Sequence, residues 1–262
     1  MTEAAPKDDV RRAWLDEDEA NLSAARVAKH RLVEQVRRLV DAAFQLDSGD
    51  AGYPPSDTDN TDDTDSTDGA APPSDSDQPG DTDRAAHFMA LAAEAEALAD
   101  RVGALPRIPR AEVDGVNASQ ARRHDTLLVE RSTINGRGNP LAPPMRMWAD
   151  GEVIRGEVFF TAPYEGPAGR VHGAWVAACF DEILGCAQGA SGAFGYTGTL
   201  TITLRRATPL YTKITYEAGF SHREGRKIHG WGRCYADGKL TAEATGVFVI
   251  PVLGRIGHGT RE

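Results

Sequence analysis

The sequence predicts an α+β fold in which an antiparallel sheet wraps around one apolar helix, and two observations lead to this prediction. In the segment 170–188, Asp181 and Glu182 are the only charged residues between Trp175 and Ala187. Nearly everything after this segment shows the alternating pattern and the turn residues of β-strands. Helices that lie on one side of an antiparallel sheet define the α+β class.

The acidity of the chain is concentrated in one tract. The formal net charge of the 262 residues is −10, and residues 47–83 contain 12 Asp but no Lys, Arg or Glu. The rest of the chain is close to neutral and has no basic stripe, which argues against a nucleic-acid-binding surface. A tract of Asp, Thr, Ser, Gly and Pro buries no apolar area, so we expect residues 47–83 to be a disordered linker.

Cysteine usage and the absence of long apolar runs predict a cytoplasmic protein. The three cysteines form no CxxC pair, and an odd number suits a reducing compartment, so we expect all three to act as small apolar side chains. The polar N-terminus does not resemble a signal peptide, and no stretch reaches the length of a membrane span. We expect neither a metal ion nor a cofactor.

Two helical segments flank the acidic linker. Apolar residues recur at helical spacing from 8 to 46, which predicts an N-terminal helical segment over 1–46, either as one long helix or as two that join near Asn21. A second helix is predicted over 84–106, where Gly103 and Pro106 end it.

The remaining residues, 107–262, are predicted to form the main domain. The hairpin turns fall at 224–226 and 237–238. We expect the four strands that follow the apolar helix to form a meander. The predicted strands are 127–131, 145–148, 152–160, 200–206, 214–222, 228–235 and 240–250.

The motif at the start of the apolar helix resembles that of a known family. Residues 166–173 are Gly-Pro-Ala-Gly-Arg-Val-His-Gly, and Asp181 follows His172 by nine positions. This pattern resembles the hotdog-fold acyl-CoA thioesterases, in particular the PaaI-like branch that includes the animal thioesterase superfamily members. Further blocks match in the same order at 163–167, 197–210, 224–227 and 242–245, so the resemblance covers roughly 144–251 and leaves the first 120 or so residues outside it.

The resemblance implies a hotdog fold with an N-terminal helical extension and an enzyme that hydrolyses acyl-CoA to free acid and CoA. It implies that Asp181 is the general base or a nucleophile, and that the backbone N–H of Gly173 binds the thioester oxygen. Thr197 matches the position that orients the attacking water, with Thr199 as a register-shifted alternative. The resemblance implies that His172 anchors the loop and the helix start, with proton transfer by His172 as the alternative.

Departures from the family pattern concern the acyl pocket. The family's second glycine is replaced by Ala174, which keeps its N–H, and the large Trp175 follows it. The chain-length preference is therefore open.

Glu182 lies about 100° around the helix from Asp181, so we expect a structural or rim role for it. The phosphates of CoA need cations, and candidate contacts at strand ends and turns are Arg205, Arg206, Arg226 and Lys227.

The spacing of Gly173 and Asp181 predicts a site shared between two subunits. Eight residues of helix separate them by about 12 Å along the axis, whereas a carbonyl and its attacking water lie within about 3.5 Å. Two antiparallel helices in a homodimer, or in a dimer of dimers, place Gly173 of one subunit opposite Asp181 of the other. The alternative is a non-catalytic acyl-CoA-binding or scaffolding protein in which Asp181 is paired for structural reasons.

Overall fold

A computed structural model of the chain describes residues 22–46, 81–106, 130 and 132–251. These residues belong to two compact units, and the smaller unit, within 46–115, contains the helix α2. The helices are α1 (Ala24–Phe44), α2 (Asp81–Gly103) and α3 (Gly173–Ala187). The strands are β1 (Arg146–Asp150), β2 (Val153–Phe159), β3 (Tyr196–Leu204), β4 (Lys213–Glu224), β5 (Lys227–Ala236) and β6 (Lys239–Val249).

The six strands form one antiparallel sheet in the order β1-β2-β4-β5-β6-β3, and α3 packs against it. The helix turns Phe180, Ile183 and Leu184 toward the sheet, where all three are completely buried. β5, β6 and the first half of β4 alternate between buried and less buried positions, whereas the edge strand β3 is exposed along most of its length. The predicted α+β class, with an antiparallel sheet around one central helix, is confirmed.

The predicted meander of four strands is wrong for its first strand. Only β4, β5 and β6 form a meander, whereas β3 pairs with β6 at the far edge of the sheet. The N–H groups of Arg205 and Arg206 both donate to the carbonyl of Thr241 in β6, and the N–H of Tyr211 donates to Phe160 O, next to β2. The connection 205–212 therefore crosses from the β6 side of the sheet to the β2 side. This crossing lets strands on both sides of the sheet enclose α3.

A β-bulge sets the direction of the side chains in β3. The register against β6 shifts between Thr197 and Thr199, which pair with the neighbouring residues Phe248 and Val247. Thr197 opposes the buried Phe248 and therefore faces α3, as Leu200 does beyond the bulge. The extra residue, Gly198, thus places an odd-numbered and an even-numbered residue on the same face.

Helix α1 belongs to the same compact unit as the sheet. It begins at Ala24, where the hydroxyl of Ser23 accepts the N–H of Arg26 in an N-cap. Arg37 donates hydrogen bonds to the carbonyls of Gly136 and Asn139, at 2.9 and 2.7 Å. The part of the predicted segment that precedes residue 22 lies outside the described residues, as do the linker residues 47–80.

A buried carboxylate holds α1 against the main domain. Glu130, the only described residue of the predicted strand 127–131, is 4% exposed. Its carboxylate contacts Lys29 Nζ and His30 Nε2, both at 2.7 Å, and Arg26 at 3.5 Å. Burial alone raises the pKa of Glu130, but the hydrogen bonds and charges of Lys29 and His30 outweigh this effect and lower it. The carboxylate is therefore ionised and stabilises the docked helix.

The three cysteines lie in the core, as predicted. Cys179, Cys186 and Cys234 are buried and free, and burial raises the pKa of the Cys234 thiol to about 11. The Cys234 thiol is therefore protonated and inert at neutral pH.

Replacing Glu130 with Gln should lower the free energy of unfolding by about 1–3 kcal/mol, since charge-assisted hydrogen bonds to Lys29 and His30 are lost. Urea denaturation at neutral pH measures the difference. The exposed Glu34→Gln change on α1 serves as the matched control and should have little effect. Equal stabilities of Glu130→Gln and Glu34→Gln would show that the carboxylate does not hold the helix.

Candidate active site

The structure brings Asp181 and Thr197 together. The Thr197 hydroxyl donates a hydrogen bond of 2.9 Å to Asp181 Oδ1, although the two residues are 16 positions apart. Asp181 is half-buried rather than enclosed in the core. The bulge in β3 turns Thr197 toward α3, whereas Thr199 opposes Val247 on the other face of the sheet. The geometry therefore favours Thr197 over Thr199 as the partner of Asp181.

The first turn of α3 leaves one backbone N–H free. His172 is the N-cap residue, and its Nδ1 accepts the N–H of Ala174 at 3.1 Å. The N–H of Trp175 donates to the His172 carbonyl. Among the described residues the N–H of Gly173 has no acceptor, so it points a donor and the positive end of the helix dipole outward.

The contacts of His172 fit an anchoring role. Its Nδ1 is used as an acceptor, which requires a neutral ring with the proton on Nε2. Its backbone N–H donates to Tyr164 O at 2.9 Å. A Cβ on Gly166 would lie 2.9 Å from the His172 Cα, so only glycine lets this loop approach the helix start so closely. The motif residues Gly166 and His172 thus position the free donor of Gly173.

Glu182 points away from Asp181 toward the loop that contains Ser132. The Ser132 hydroxyl donates to Glu182 Oε1 at 3.1 Å, while its oxygen accepts the N–H groups of Ile134 and Asn135. Burial raises the pKa of Glu182 to about 7; the Ser132 hydrogen bond opposes this shift and the Asp181 charge adds to it. Glu182 is therefore poised between two protonation states near neutral pH.

An aromatic group that the sequence did not reveal supports the helix start. Tyr164 stacks edge-on against Trp175 and Phe160, with ring centroids 5.2 and 5.5 Å apart. Its hydroxyl donates to the carbonyl of Ala142 at 3.1 Å, and burial raises its pKa to about 12. Trp175, which departs from the family pattern, therefore packs sideways against the Tyr164 loop. The only signal in the sequence was the position of Tyr164 within the matched block 163–167.

The two predicted catalytic groups lie at opposite ends of β3. At the carboxylate end, Thr197 contacts Asp181. At the donor end, a Cβ on Gly173 would lie 3.2 Å from Leu204 Cδ1. A single chain thus contains two half-sites that do not meet.

The predicted CoA contacts are divided between the same two ends. Arg205 pairs with Glu243, and Arg206 donates to Leu240 O, both just beyond the donor end. Lys227 of β5 pairs with Val249 of β6, which in turn pairs with Tyr196 of β3, so Lys227 lies at the carboxylate end. Its neighbour Arg226 donates to the carbonyl of Ile250. Within one chain these four cations do not form a single cluster.

Comparison with solved structures identifies the class of fold. No family profile and no curated protein matches the sequence. The chain is similar to the crystal structure of a thioesterase superfamily protein, with a TM-score of 0.60 and 24% identity over 84% of this chain and 94% of that one. The chain therefore has the hotdog fold of thioesterase superfamily proteins, and the resemblance seen in the motifs is confirmed at the level of the fold.

Other matches cover about two fifths of this chain. One is a phenylacetic acid degradation-related protein of Ralstonia eutropha JMP134, with 21% identity, a TM-score of 0.38, and coverage of 41% of this chain and 85% of that one. Another is a hypothetical thioesterase of Streptococcus pneumoniae TIGR4 with coenzyme A, with 17% identity, a TM-score of 0.38, and coverage of 40% and 87%. Scores this low support no inference about this chain. Separately, none of the helices in the described ranges is long and apolar enough to cross a membrane.

Replacing Glu182 with Gln should change how stability depends on pH. The folded protein holds a proton up to about pH 7 that the unfolded chain releases near 4.5. Wild-type stability should therefore fall by roughly 1–3 kcal/mol as the pH rises through this window. Glu182→Gln cannot ionise and should lack that fall, whereas the exposed Glu224→Gln change should retain it. Denaturation at a fixed protein concentration from pH 5 to 8 gives the free energy of unfolding as a function of pH. The same pH dependence in wild type and Glu182→Gln would contradict a raised pKa for Glu182.

Proposed function

We propose that this protein is an acyl-CoA thioesterase whose active sites form between two copies of the chain. The observation that carries the proposal is the arrangement along β3: a carboxylate held by Thr197 at one end, and the free N–H of Gly173 at the other. The first is suited to activating water, and the second to binding a developing oxyanion. The hotdog fold supports the proposal.

Pairing β3 with a copy of itself joins the two half-sites. β3 is the last strand of the sheet and has only β6 as a neighbour among the described strands, so its other edge is open to pairing. Two such edges related by a two-fold axis run antiparallel, about 4.8 Å apart. The donor end of one strand then lies beside the carboxylate end of the other. Each dimer contains two equivalent sites, each with Gly173 from one subunit and Asp181 from its partner.

The reaction needs only these groups and water. The thioester carbonyl binds to the Gly173 N–H, and water attacks its carbon while Asp181 takes a proton. The tetrahedral intermediate collapses by breaking the C–S bond, and the CoA thiolate takes up the proton to leave as a thiol. In the nucleophilic alternative Asp181 itself attacks, CoA leaves, and water hydrolyses the resulting anhydride. Both routes give one free acid and one CoA per water consumed.

The same dimer gathers the cations proposed to bind CoA. Arg205 and Arg206 adjoin the donor end, and Arg226 and Lys227 adjoin the carboxylate end. Antiparallel pairing places the first pair of one subunit near the second pair of the other. A phosphate group meets such a cluster with charge-assisted hydrogen bonds.

We further propose a cytoplasmic location, in keeping with the free cysteines.

A carboxylate variant tests the enzyme assignment. Asp181→Asn preserves an acceptor for Thr197 but removes the base, so kcat should fall by about 10²–10⁴-fold while the protein remains folded. A thiol-release assay over short, long and aromatic acyl-CoAs measures the rate. Tight acyl-CoA binding by wild type without any thiol release would instead favour the non-catalytic, scaffolding alternative.

A second variant tests the backbone donor. Gly173 is the first residue of α3, a position where proline fits a helix well and lacks only the N–H. Gly173→Pro should therefore lower kcat by about 10²–10³-fold. Gly173→Ala keeps the N–H, brings its Cβ against the flexible end of Leu204, and should retain most of the rate. Equal losses of kcat in the two variants would show that steric crowding at this position, and not loss of the N–H donor, causes the defect.

Mixing the two defective chains tests the shared site. Co-expressed Asp181→Asn and Gly173→Pro chains that assemble at random form mixed dimers in about half of all pairs. A mixed dimer has one site with both defects and one with neither, so about a quarter of wild-type activity should return. Reassortment that restores no activity would show that each chain forms its own site.

A further inference from the structure

A cleft of about 670 Å³ lies between α1 and the main domain. One wall is α1, from Val27 to Asp41. The opposite wall consists of loop residues near Leu141, the end of β2 at Phe159, and the Tyr164–Trp175 pair. Both walls belong to the same compact unit, and α1 is fastened there by Glu130 and Arg37. A cleft of this size is within the range of small-molecule sites.

The floor and rim of the cleft are apolar but exposed. Leu141 is 69% exposed, Phe159 46% and Val40 36%, although all three line a concave surface. Apolar side chains that converge in a cleft without covering one another indicate a surface that a ligand covers. The half-buried Trp175 adds an aromatic ring to the lining.

The charges that line the cleft are predominantly positive. Four arginines face two acids, Glu34 and Asp41. Arg37 is committed to the carbonyls of Gly136 and Asn139. Arg38 donates only to the amide oxygen of Gln35, and Arg31 has no acidic partner among the described residues. These two exposed arginines lie about two helical turns apart on one wall, with Glu34 between them, and can offer guanidinium donors to an anionic head group.

The cleft does not contain the proposed catalytic groups. His172, Gly173, Asp181 and Thr197 are absent from its lining. Trp175, which does line it, follows Gly173 by two positions and therefore lies about 200° further around the helix. The side-chain position of Gly173 and the Trp175 ring therefore lie on different sides of α3.

We propose that this α1 cleft binds a single-chain amphipathic anion, with its apolar chain against Leu141, Phe159 and Trp175 and its head group on Arg31 and Arg38. Apolar exposure and uncompensated positive charge in one cavity are complementary to this class of ligand. Fatty carboxylates and alkyl phosphates share this chemistry. Binding here requires no turnover, so the proposal does not depend on the thioesterase activity.

Calorimetric titration of the full-length protein tests the ligand class. The probes are dodecanoate and dodecyl phosphate below their micelle-forming concentrations, and dodecyltrimethylammonium, which has the same chain and the opposite charge. We expect one equivalent of at least one anion per chain and much weaker binding of the cation. Asp181→Asn should bind as wild type does, which separates this site from the reaction. The stronger anion identifies the head group.

Charge-reversal variants test the location. Arg31→Glu combined with Arg38→Glu changes two exposed side chains and should weaken anion binding at least about tenfold, since charge-assisted hydrogen bonds are lost. Arg101→Glu, an exposed arginine on α2, makes the same change elsewhere and should leave binding unchanged. Leu141→Glu should weaken binding through the apolar wall. No anion binding by wild type, equal binding of the cation, or an unaffected double variant would each overturn the proposal.

Discussion

The close packing of α3 into the curved sheet is the constraint on which the rest of the structure depends. A Cβ on Gly232 would lie 3.0 Å from Phe180, and one on Gly230 would lie 3.2 Å from Leu184. A methyl group at either position would press Phe180 or Leu184 back by a few tenths of an ångström, so the sheet lies very close to the helix. Interiors packed at this density deform little. The helix is thus held at one height and one rotation relative to every strand.

This fixed position determines where the reactive groups lie. With its middle against β4 and β5, the helix has one end beside Leu204 and its carboxylate beside Thr197. The buried face is taken up by core residues, so the polar groups lie at the edge formed by β3. In the proposed dimer, the open edge of β3 pairs with its own copy and brings the two half-sites together. In this protein the open edge, usually a liability, becomes part of the proposed chemistry.

The sequence predicted most of the domain because its patterns are local. Alternation in β4, β5 and β6 and the apolar run of α3 each follow from which face is buried. Asp181 and Thr197 were predicted as partners in one site through the family resemblance, and the structure places them in contact. Three features depend on distant residues and had no local signal. The position of β3 beside β6, the bulge at Gly198 and the pairing of Glu130 with α1 all arise from segments that meet only in the folded chain.

The roles of the charged residues in α1 also depend on which distant segments they meet in the folded chain. Consecutive residues of α1 have different environments: Lys29 and His30 contact the buried Glu130, whereas Arg31 faces the cleft with no acidic partner in the described part of the chain. The contacts that dock α1 do not involve Arg31 or Arg38. These two arginines instead add positive charge to the cleft wall beside exposed apolar groups. Solvent accepts such charges readily, but it does not favour leaving Leu141 and Phe159 uncovered beside them. The proposed ligand, apolar at one end and anionic at the other, would cover these apolar groups and pair with the two arginines at the same time.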